Sequence, residues 1–272
     1  MQTSPLLRTL NDSGYPLQVA VQQAIASSTD QHGWQVRSSE QHWASESRSQ
    51  SGFIDVVANN PGKSLYALIE CKRVRDSDWI LFRTDGQNGT ERFAKVWLDK
   101  RNESGDAGLS GWASVALEPG CPEVRFCAVR GQDTSSRTTL LERTAAEITL
   151  AAECYGRRLQ PYGSKPGTQY RIFVPMIVTT AKLHIATFDT ASIQIKDGIL
   201  QSANFLEVPY VRFQKQLGIV DNDNTYGLGK PAAGLEQWWE STVFVVNASA
   251  INSFLSCLSV DDARLQLRAS AA

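Results

Sequence analysis

Apolar residues along the chain follow two patterns, one typical of helices and one typical of strands. Residues 16–27 begin with a proline and carry Leu17, Val21 and Ile25 on one helical face, which predicts a helix. Residues 136–155 predict the longest helix, with Gly156 as its end. Runs rich in β-branched and aromatic residues predict strands at 34–43, 51–58, 65–72, 124–129, 170–180, 184–188, 192–198, 205–213 and 242–248.

The remaining segments complete a mixed pattern. Residues 91–101 predict a short amphipathic helix and residues 250–258 predict another, whereas residues 75–90 and 102–111 predict loops. A helix, then strands, then helices and further strands favour an α/β fold with a mixed sheet flanked by helices. We expect a single domain over residues 1–272, in which the second half elaborates the sheet with extra C-terminal strands.

Composition and charge exclude several classes of protein. The 272 residues are 42% hydrophobic and 20% charged, which is a globular composition. A net charge of −1 argues against a protein that coats nucleic acid by bulk charge, so a nucleic-acid site must be a local basic patch. Five cysteines without a Cys-x-x-Cys pair argue against a disulfide framework or a zinc ribbon. With no export signal or apolar run of membrane-spanning length, we expect a cytoplasmic protein with no membrane partner.

The segment 52–73 carries the most informative chemistry. Its two predicted strands are joined by the turn sequence NNPGKS, so they should pair as an antiparallel hairpin. A turn centred between Gly62 and Lys63 places Asp55 opposite Glu70, with their side chains on one face. Lys72 lies two residues after Glu70 on the same strand and therefore shares that face.

Because Asp55 and Glu70 have apolar neighbours, placing their two carboxylates opposite each other is energetically unfavourable unless a cation is present. Two carboxylates in an apolar setting repel each other, and each is penalised by desolvation. Lys72 offsets only one of the two charges. Oxygen ligands without sulfur or imidazole suit Mg²⁺, which typically binds one or two carboxylates and leaves its other positions to water and phosphate oxygens. The hairpin therefore predicts a magnesium site suited to phosphate-ester chemistry, where Mn²⁺ can substitute.

Asp55 followed by Glu70-Cys71-Lys72 at the end of the next strand resembles the PD-(D/E)xK motif of restriction-endonuclease-like nucleases. Ile54 stands where the motif's name has proline. The preceding predicted helix resembles the first core helix of that superfamily, but it offers Gln18 in place of an additional acidic ligand. The resemblance covers about residues 14–100. It implies a restriction-endonuclease-like core over about 14–180, elaborated by a β-rich segment over about 181–272.

The resemblance also implies the activity and the role of each residue. Asp55 and Glu70 would hold Mg²⁺, and the backbone carbonyl of Cys71 would complete the protein's share of ligands. Lys72 would orient or help deprotonate the attacking water and stabilise charge on the phosphate. The catalytic residues are then Asp55, Glu70 and Lys72, with Gln18 as a polar contact from the first helix.

A local excess of basic residues follows the motif. Residues 72–101 hold eight basic and five acidic side chains in a chain of nearly neutral charge, with tryptophan and phenylalanine between them. Arg73, Arg75, Arg92 and Lys95 are therefore the candidate nucleic-acid-binding residues. The alternative is a mixed solvated surface. DNA is the expected substrate, cleaved by an endonuclease rather than an exonuclease in restriction or phage defence.

Two other functions remain open. A catalytically silent nuclease-fold module would bind nucleic acid or a partner protein without cleavage, and the missing acidic residue of the first helix favours it. A purely structural subunit is consistent with the neutral charge. A simple surface ion pair at the end of the hairpin would explain Glu70 and Lys72 without any site. A second copy of the chain is a further partner that the sequence leaves open.

Overall fold

The computed structural model describes residues 4–74, 78–86, 89–100, 109–129, 139–159, 170–217 and 240–260. Its helices are α1 (Pro5–Asp12), α2 (Tyr15–Ser27), α3 (Thr29–His32), α4 (Leu140–Arg158) and α5 (Ile251–Cys257). Its strands are β1 (Gln35–Ser45), β2 (Gln50–Asn59), β3 (Leu65–Lys72), β4 (Asp78–Phe82), β5 (Thr90–Lys100), β6 (Leu109–Val124), β7 (Phe126–Val129), β8 (Tyr170–Thr179), β9 (Lys182–Thr187), β10 (Asn204–Val208), β11 (Tyr210–Lys215), β12 (Ser241–Asn247) and β13 (Ser259–Val260).

Nine strands form one mixed sheet, which confirms the predicted α/β class. The order is β1-β2-β3-β8-β12-β11-β6-β13, and β5 pairs with both β6 and β8. Strands β5, β6, β11, β12 and β8 therefore form a closed ring of five strands, which the sequence pattern did not predict. The hairpins β1–β2 and β2–β3 extend the sheet away from this ring, with β3 pairing parallel to β8.

The remaining four strands form a second sheet in the order β10-β9-β4-β7. Strand β4 pairs parallel with β9 and antiparallel with β7. The whole strand lies within residues 75–90, which were predicted as a loop, so that prediction was wrong for Asp78–Phe82. Trp79 and Leu81 are fully buried in β4, so pairing and burial together decide the local conformation.

The hydrophobic core lies on both faces of the sheet, as the alternation along β3 shows. Tyr66 and Leu68 pack in the layer that contains α4, whereas Ala67 and Ile69 pack in the layer that contains α2 and α5. Because both faces of β3 and β8 are covered, their sequences are almost continuously apolar. The site described below lies where the apolar run of β3 ends.

Other predicted elements also need correction. The single strand expected at 205–213 is divided into β10 and β11, which belong to different sheets. The helix expected at 91–101 is strand β5, because β6 and β8 supply hydrogen-bonding partners on both of its edges. The predicted strand 192–198 is a 3-10 turn at Thr190–Ser192 and an isolated bridge, and it lies exposed with no layer against it. Helix α4 continues past Gly156, where a Cβ atom would lie 2.4 Å from the Trp97 ring, so this glycine permits close packing instead of ending the helix.

Two further features agree with the composition. All five cysteines are free thiols. None of the helices in the described residues combines the length and apolar character that crossing a lipid bilayer requires.

Candidate active site

The β2–β3 hairpin has the register that the turn sequence predicts. Val56 pairs with Ile69, and the pairing continues through Asn59 and Tyr66. The side chain of Asn60 accepts hydrogen bonds from the backbone N–H groups of Ser64 and Leu65, at 2.9 and 3.0 Å, which stabilises the turn that sets this register. One step beyond Val56–Ile69, the same register places Asp55 opposite Glu70.

At Asp55 the side-chain carboxylate accepts a hydrogen bond that a backbone carbonyl accepts in a regular antiparallel ladder. The paired ladder of β2 and β3 ends at Val56–Ile69, and the next β3 amide, that of Cys71, donates to Asp55 Oδ2 at 2.7 Å. Burial raises the pKa of Asp55, and the charge of Glu40 raises it further, whereas this hydrogen bond and Lys72 lower it. The net pKa is raised, so the environment of Asp55 disfavours its negative charge.

Glu70 and Lys72 form an ion pair in a largely buried setting. The Lys72 Nζ–Glu70 Oε1 distance is 2.7 Å, and the two side chains are 28% and 16% exposed. Burial and the charge of Asp55 nevertheless raise the pKa of Glu70 to about 7. Burial lowers the pKa of Lys72, but the neighbouring carboxylates outweigh it and the net pKa is raised. Lys72 is therefore a cation whose single charge does not balance the carboxylates around it.

A third carboxylate, which the sequence analysis missed, lies on β1. Ser39 pairs with Val56 and Gln41 pairs with Ile54, so Glu40 lies opposite Asp55. In backbone position, Glu40, Asp55 and Glu70 thus form one row across three neighbouring strands, and Glu40 itself has a positive φ of 51°. The seven residues between the predicted strands 34–43 and 51–58 leave several pairings open, so the position of Glu40 did not follow from the sequence.

Gln18 connects helix α2 to this row. Its side chain is buried and donates to the backbone carbonyl of Asp55 at 3.2 Å and to the carboxylate of Glu40. The polar contact expected from the helix before the hairpin is therefore present. The carboxylate that Gln18 bonds, that of Glu40, belongs to β1 and not to the helix. Its functional role stays a prediction.

A fourth carboxylate approaches from α4. Glu147 raises the pKa of Glu70 and that of Lys72 through its charge, and it lines the same cleft as Glu70. Glu147 lies 77 positions from Glu70 along the chain, and only the packing of α4 across β1, β2 and β3 brings them together. Strand and turn patterns contain no signal for this contact.

The basic residues predicted to bind nucleic acid are dispersed. Arg73 follows Lys72 and donates to the Asn11 carbonyl of α1 at 2.7 Å. Arg92 and Lys95 lie on β5, which leaves β8 after Phe173 because β12 pairs with β8 from Met176 onward. Strand β8 therefore lies between them and the hairpin, although they are close to the motif in sequence, and their role in nucleic-acid binding stays a prediction.

Contacts of these basic residues differ as well. Arg92 pairs with Glu118 at 3.1 Å, and Lys95 is half buried with a pKa lowered by burial. Arg75 lies outside the described residues. Arg73 follows the motif directly in sequence, but its guanidinium faces the end of α1 at the Asn11 carbonyl and Asp12, and its role in binding stays a prediction.

The donor set fits a hard divalent cation. Within the described residues, no three His, Cys, Asp or Glu side chains come together as a group that holds a metal ion. Mg²⁺ typically uses only one or two carboxylates, and Asp55 and Glu70 supply two whose charges are mutually unfavourable without a cation. Cys71 packs its side chain into the opposite layer, so only its backbone is available here.

Comparisons of the chain with protein-family models, with curated proteins and with solved structures find no match in any of the three. The functional conclusion therefore depends on the geometry and electrostatics of the site alone.

Proposed function

We propose that this protein is a Mg²⁺-dependent nuclease with a restriction-endonuclease-like core, which hydrolyses phosphodiester bonds of DNA. The observation that carries the proposal is the row of carboxylates on neighbouring strands, in which the half-buried Asp55 and Glu70 repel each other while the Lys72 amine bonds to Glu70 at 2.7 Å. Mn²⁺ is expected to substitute for Mg²⁺ at the same ligands.

The energetics support a functional explanation of this row. Like charges in a partly buried setting destabilise the fold, and the raised pKa values of Asp55 and Glu70 express that cost. A glutamine at position 70 would fill the same space without repulsion. Strong perturbation by burial and by specific charge partners, in a cleft, is typical of catalytic and ligand-binding groups.

The residues present suit the group that the motif implies. Asp55 and Glu70 would hold the ion, and the Cys71 carbonyl is the proposed backbone ligand. Such an ion supplies Lewis acidity to a phosphoryl oxygen and lowers the pKa of a bound water. Gln18 holds the Asp55 backbone and the Glu40 carboxylate at one edge of the site, which limits how far either moves.

Lys72 is best suited to stabilise negative charge on the substrate by its own positive charge. Its raised pKa keeps the amine protonated at neutral pH, so it is a poor proton acceptor. A cation 2.7 Å from Glu70 is positioned to stabilise charge that develops on a phosphate bound beside that carboxylate. We therefore assign Lys72 the stabilising and water-orienting role and leave proton removal to another base.

A second candidate function is a silent nuclease-fold module that binds nucleic acid without cutting it. Gln18 favours this candidate, because an amide occupies the place where the first helix would supply an acid. The two candidates differ in one measurable outcome, metal-dependent strand cleavage.

The test is incubation of the protein with supercoiled plasmid and with circular single-stranded DNA, in Mg²⁺ and in chelator. We expect cleavage in Mg²⁺ only, and loss of cleavage in Asp55→Asn. The control Asp85→Asn removes a carboxylate that pairs with Arg83 outside the site, and it should cut like the wild type. Binding without cleavage by a folded wild type would favour the silent module, and absence of both would refute the nuclease proposal.

A further inference from the structure

A cleft runs along helix α4 beside the proposed ion site. Its volume is about 590 Å³, and its walls are α4 and the turn end of the β1–β2 hairpin. Glu70 and Glu147 line the cleft, and Ile148 and Ala151 continue its α4 wall. The cleft therefore leads from the carboxylates of the site along the surface of the helix.

Helical spacing aligns an arginine with this wall of the cleft. At about 100° per residue, Ala151, Cys154 and Arg158 lie within about 40° of Glu147 around the axis of α4. Arg158 lies eleven residues after Glu147, which is about 16 Å along the axis. The face of α4 that carries Glu147 beside the carboxylates therefore carries Arg158 at its far end.

Positive charge accumulates at that far end of α4. Arg48 lies in the turn of the β1–β2 hairpin. Its charge acts on the buried thiol of Cys154, as do the charges of Arg157 and Arg158. The charge of Glu153 acts on the same thiol, and this carboxylate pairs with Arg157 at 2.8 Å. These three positive charges and one negative charge leave a surplus of two at the outer end of the cleft.

The fold holds these arginines in place. Arg158 is exposed, and it donates to the Ala44 carbonyl at 3.3 Å, which joins the end of α4 to the hairpin. The guanidinium of Arg157 lies 5.0 Å from the centre of the Trp97 ring. Because a guanidinium has five N–H donors in a planar fork, a bond to one carbonyl leaves Arg158 with donors for a phosphate.

We propose that Arg48 and Arg158 bind the phosphate backbone of the DNA substrate at the outer end of this cleft. This inference rests on the proposed nuclease function and names the surface along which its substrate lies. One strand of B-DNA carries a phosphate about every 3.4 Å along the helix axis, so a span of about 16 Å separates the arginines from the reacting phosphate by roughly five phosphates. Glu147 repels a phosphate inside the cleft, so the strand crosses the cleft mouth and is held at its two ends.

The test is the salt dependence of binding, measured by fluorescence anisotropy with a labelled DNA duplex in Ca²⁺ to prevent cleavage. Each phosphate contact contributes about 0.9 to the slope of the logarithm of the binding constant against the logarithm of the salt concentration. Arg158→Glu and Arg48→Glu should each make this slope shallower by about that amount, whereas Arg158→Lys keeps the charge and should retain it. Lys196→Glu is the matched control and should leave the slope unchanged, because Lys196 is exposed on the turn between Ile193 and Leu200.

A purely structural role at the end of α4 predicts a different result. Cations near a helix C-terminus stabilise the helix dipole, so Arg158→Glu should also lower the free energy of unfolding. Arg48 lies outside the helix, and its reversal tests DNA binding without that effect. In cleavage assays, loss of a phosphate contact far from the reacting group should raise KM and leave kcat unchanged.

The outcomes separate this binding surface from the function on which it rests. Shallower slopes in both reversals, with the control unchanged, support the surface. If the wild type cuts plasmid in Mg²⁺ but both reversals keep the wild-type slope, the surface is wrong while the nuclease proposal stands. If the wild type binds no DNA and cuts none, both fail.

Discussion

Two glutamate–lysine pairs in this molecule are nearly alike locally and differ in their electrostatics. Glu70 pairs with Lys72, and the glutamate side chain is 16% exposed. Glu142 at the start of α4 pairs with Lys215 of β11, and its side chain is 17% exposed. Yet the pKa of Glu70 is raised to about 7, whereas the pKa of Glu142 is lowered.

The surroundings of each pair explain the difference. Burial raises the pKa of Glu142, but the hydrogen bonds from Lys215 and Thr139 outweigh it. Thr139 and Glu142 form a reciprocal capping box, in which an acidic residue also meets the positive end of the helix. Glu70 also pairs with a lysine, but the negative charges of Asp55 and Glu147 repel the Glu70 carboxylate and raise its pKa.

An ion pair alone therefore does not mark a functional site. Glu142 and Lys215 balance each other and stabilise the start of a helix. The pair at Glu70 lies within a surplus of negative charge, which is unfavourable for folding and suited to binding a cation. Four variants and conditions separate these two situations, and they are given from the largest expected effect to the smallest.

The largest effect is expected in cleavage. Lys72→Ala removes the cation proposed to stabilise the transition state, and we expect turnover to fall at least about 100-fold. Lys215→Ala, the matched control, should cut at the wild-type rate. Affinity for uncleaved DNA should change little in both variants, because the lost interaction belongs to the transition state. Wild-type turnover in Lys72→Ala would make this lysine a structural partner of Glu70.

Metal binding should stabilise the folded protein. At a Mg²⁺ concentration one hundred times the Kd, the expected gain is about 2.7 kcal/mol, because the ion binds the folded chain preferentially. Asp55→Ala should abolish this gain, whereas Glu142→Gln should retain it. Thermal unfolding with and without Mg²⁺ measures the difference, and an equal response in wild type and Asp55→Ala would place the ion elsewhere.

The two glutamates should respond oppositely to neutralisation. Glu142→Gln loses a charge-assisted bond and part of a cap, and should lower the free energy of unfolding by about 1 kcal/mol. Glu70→Gln removes a repelled charge, so without metal its free energy of unfolding should equal or exceed that of the wild type. Urea unfolding in chelator at neutral pH compares them. A large destabilisation by Glu70→Gln would show that the Glu70–Lys72 pair is structural.

The smallest effect is a pH dependence at Glu142. The pKa of Glu142 in the folded protein lies below its ordinary value of 4.5. The stability that its ionised carboxylate contributes is therefore fully present above pH 4.5, and it is lost as the pH falls through the folded pKa. The stability difference between wild type and Glu142→Gln should therefore shrink on acidification. Urea unfolding at a series of pH values measures it, and a difference that grew toward low pH would contradict the assigned shift.

Local patterns were informative wherever one turn or one helical face decided the outcome. The β2–β3 register followed from NNPGKS because a short turn leaves few pairings, and the pairing of Val56 with Ile69 confirms it. Helix α2 likewise agrees with its apolar spacing, and Gln18 of that helix reaches Asp55.

Other features depended on partners distant in the chain. Residues 91–101 suit an amphipathic helix in isolation, but β6 and β8 supply ladders on both edges and make them a strand. Arg92 and Lys95 lie away from the motif for the same reason. In this stretch β5 pairs with β6, because β12 pairs with the edge of β8 that β5 would otherwise occupy.

By itself, the sequence determined the mixed α/β class, the hairpin register and the two carboxylates with their lysine, because each depends on spacing within a few residues. Only the tertiary structure decided the closed ring of strands, the approach of Glu147 and the cleft beside Glu70. Those features arise from contacts between segments far apart in the chain. The energy of such contacts depends on which surfaces are buried together, and a linear pattern does not contain that information.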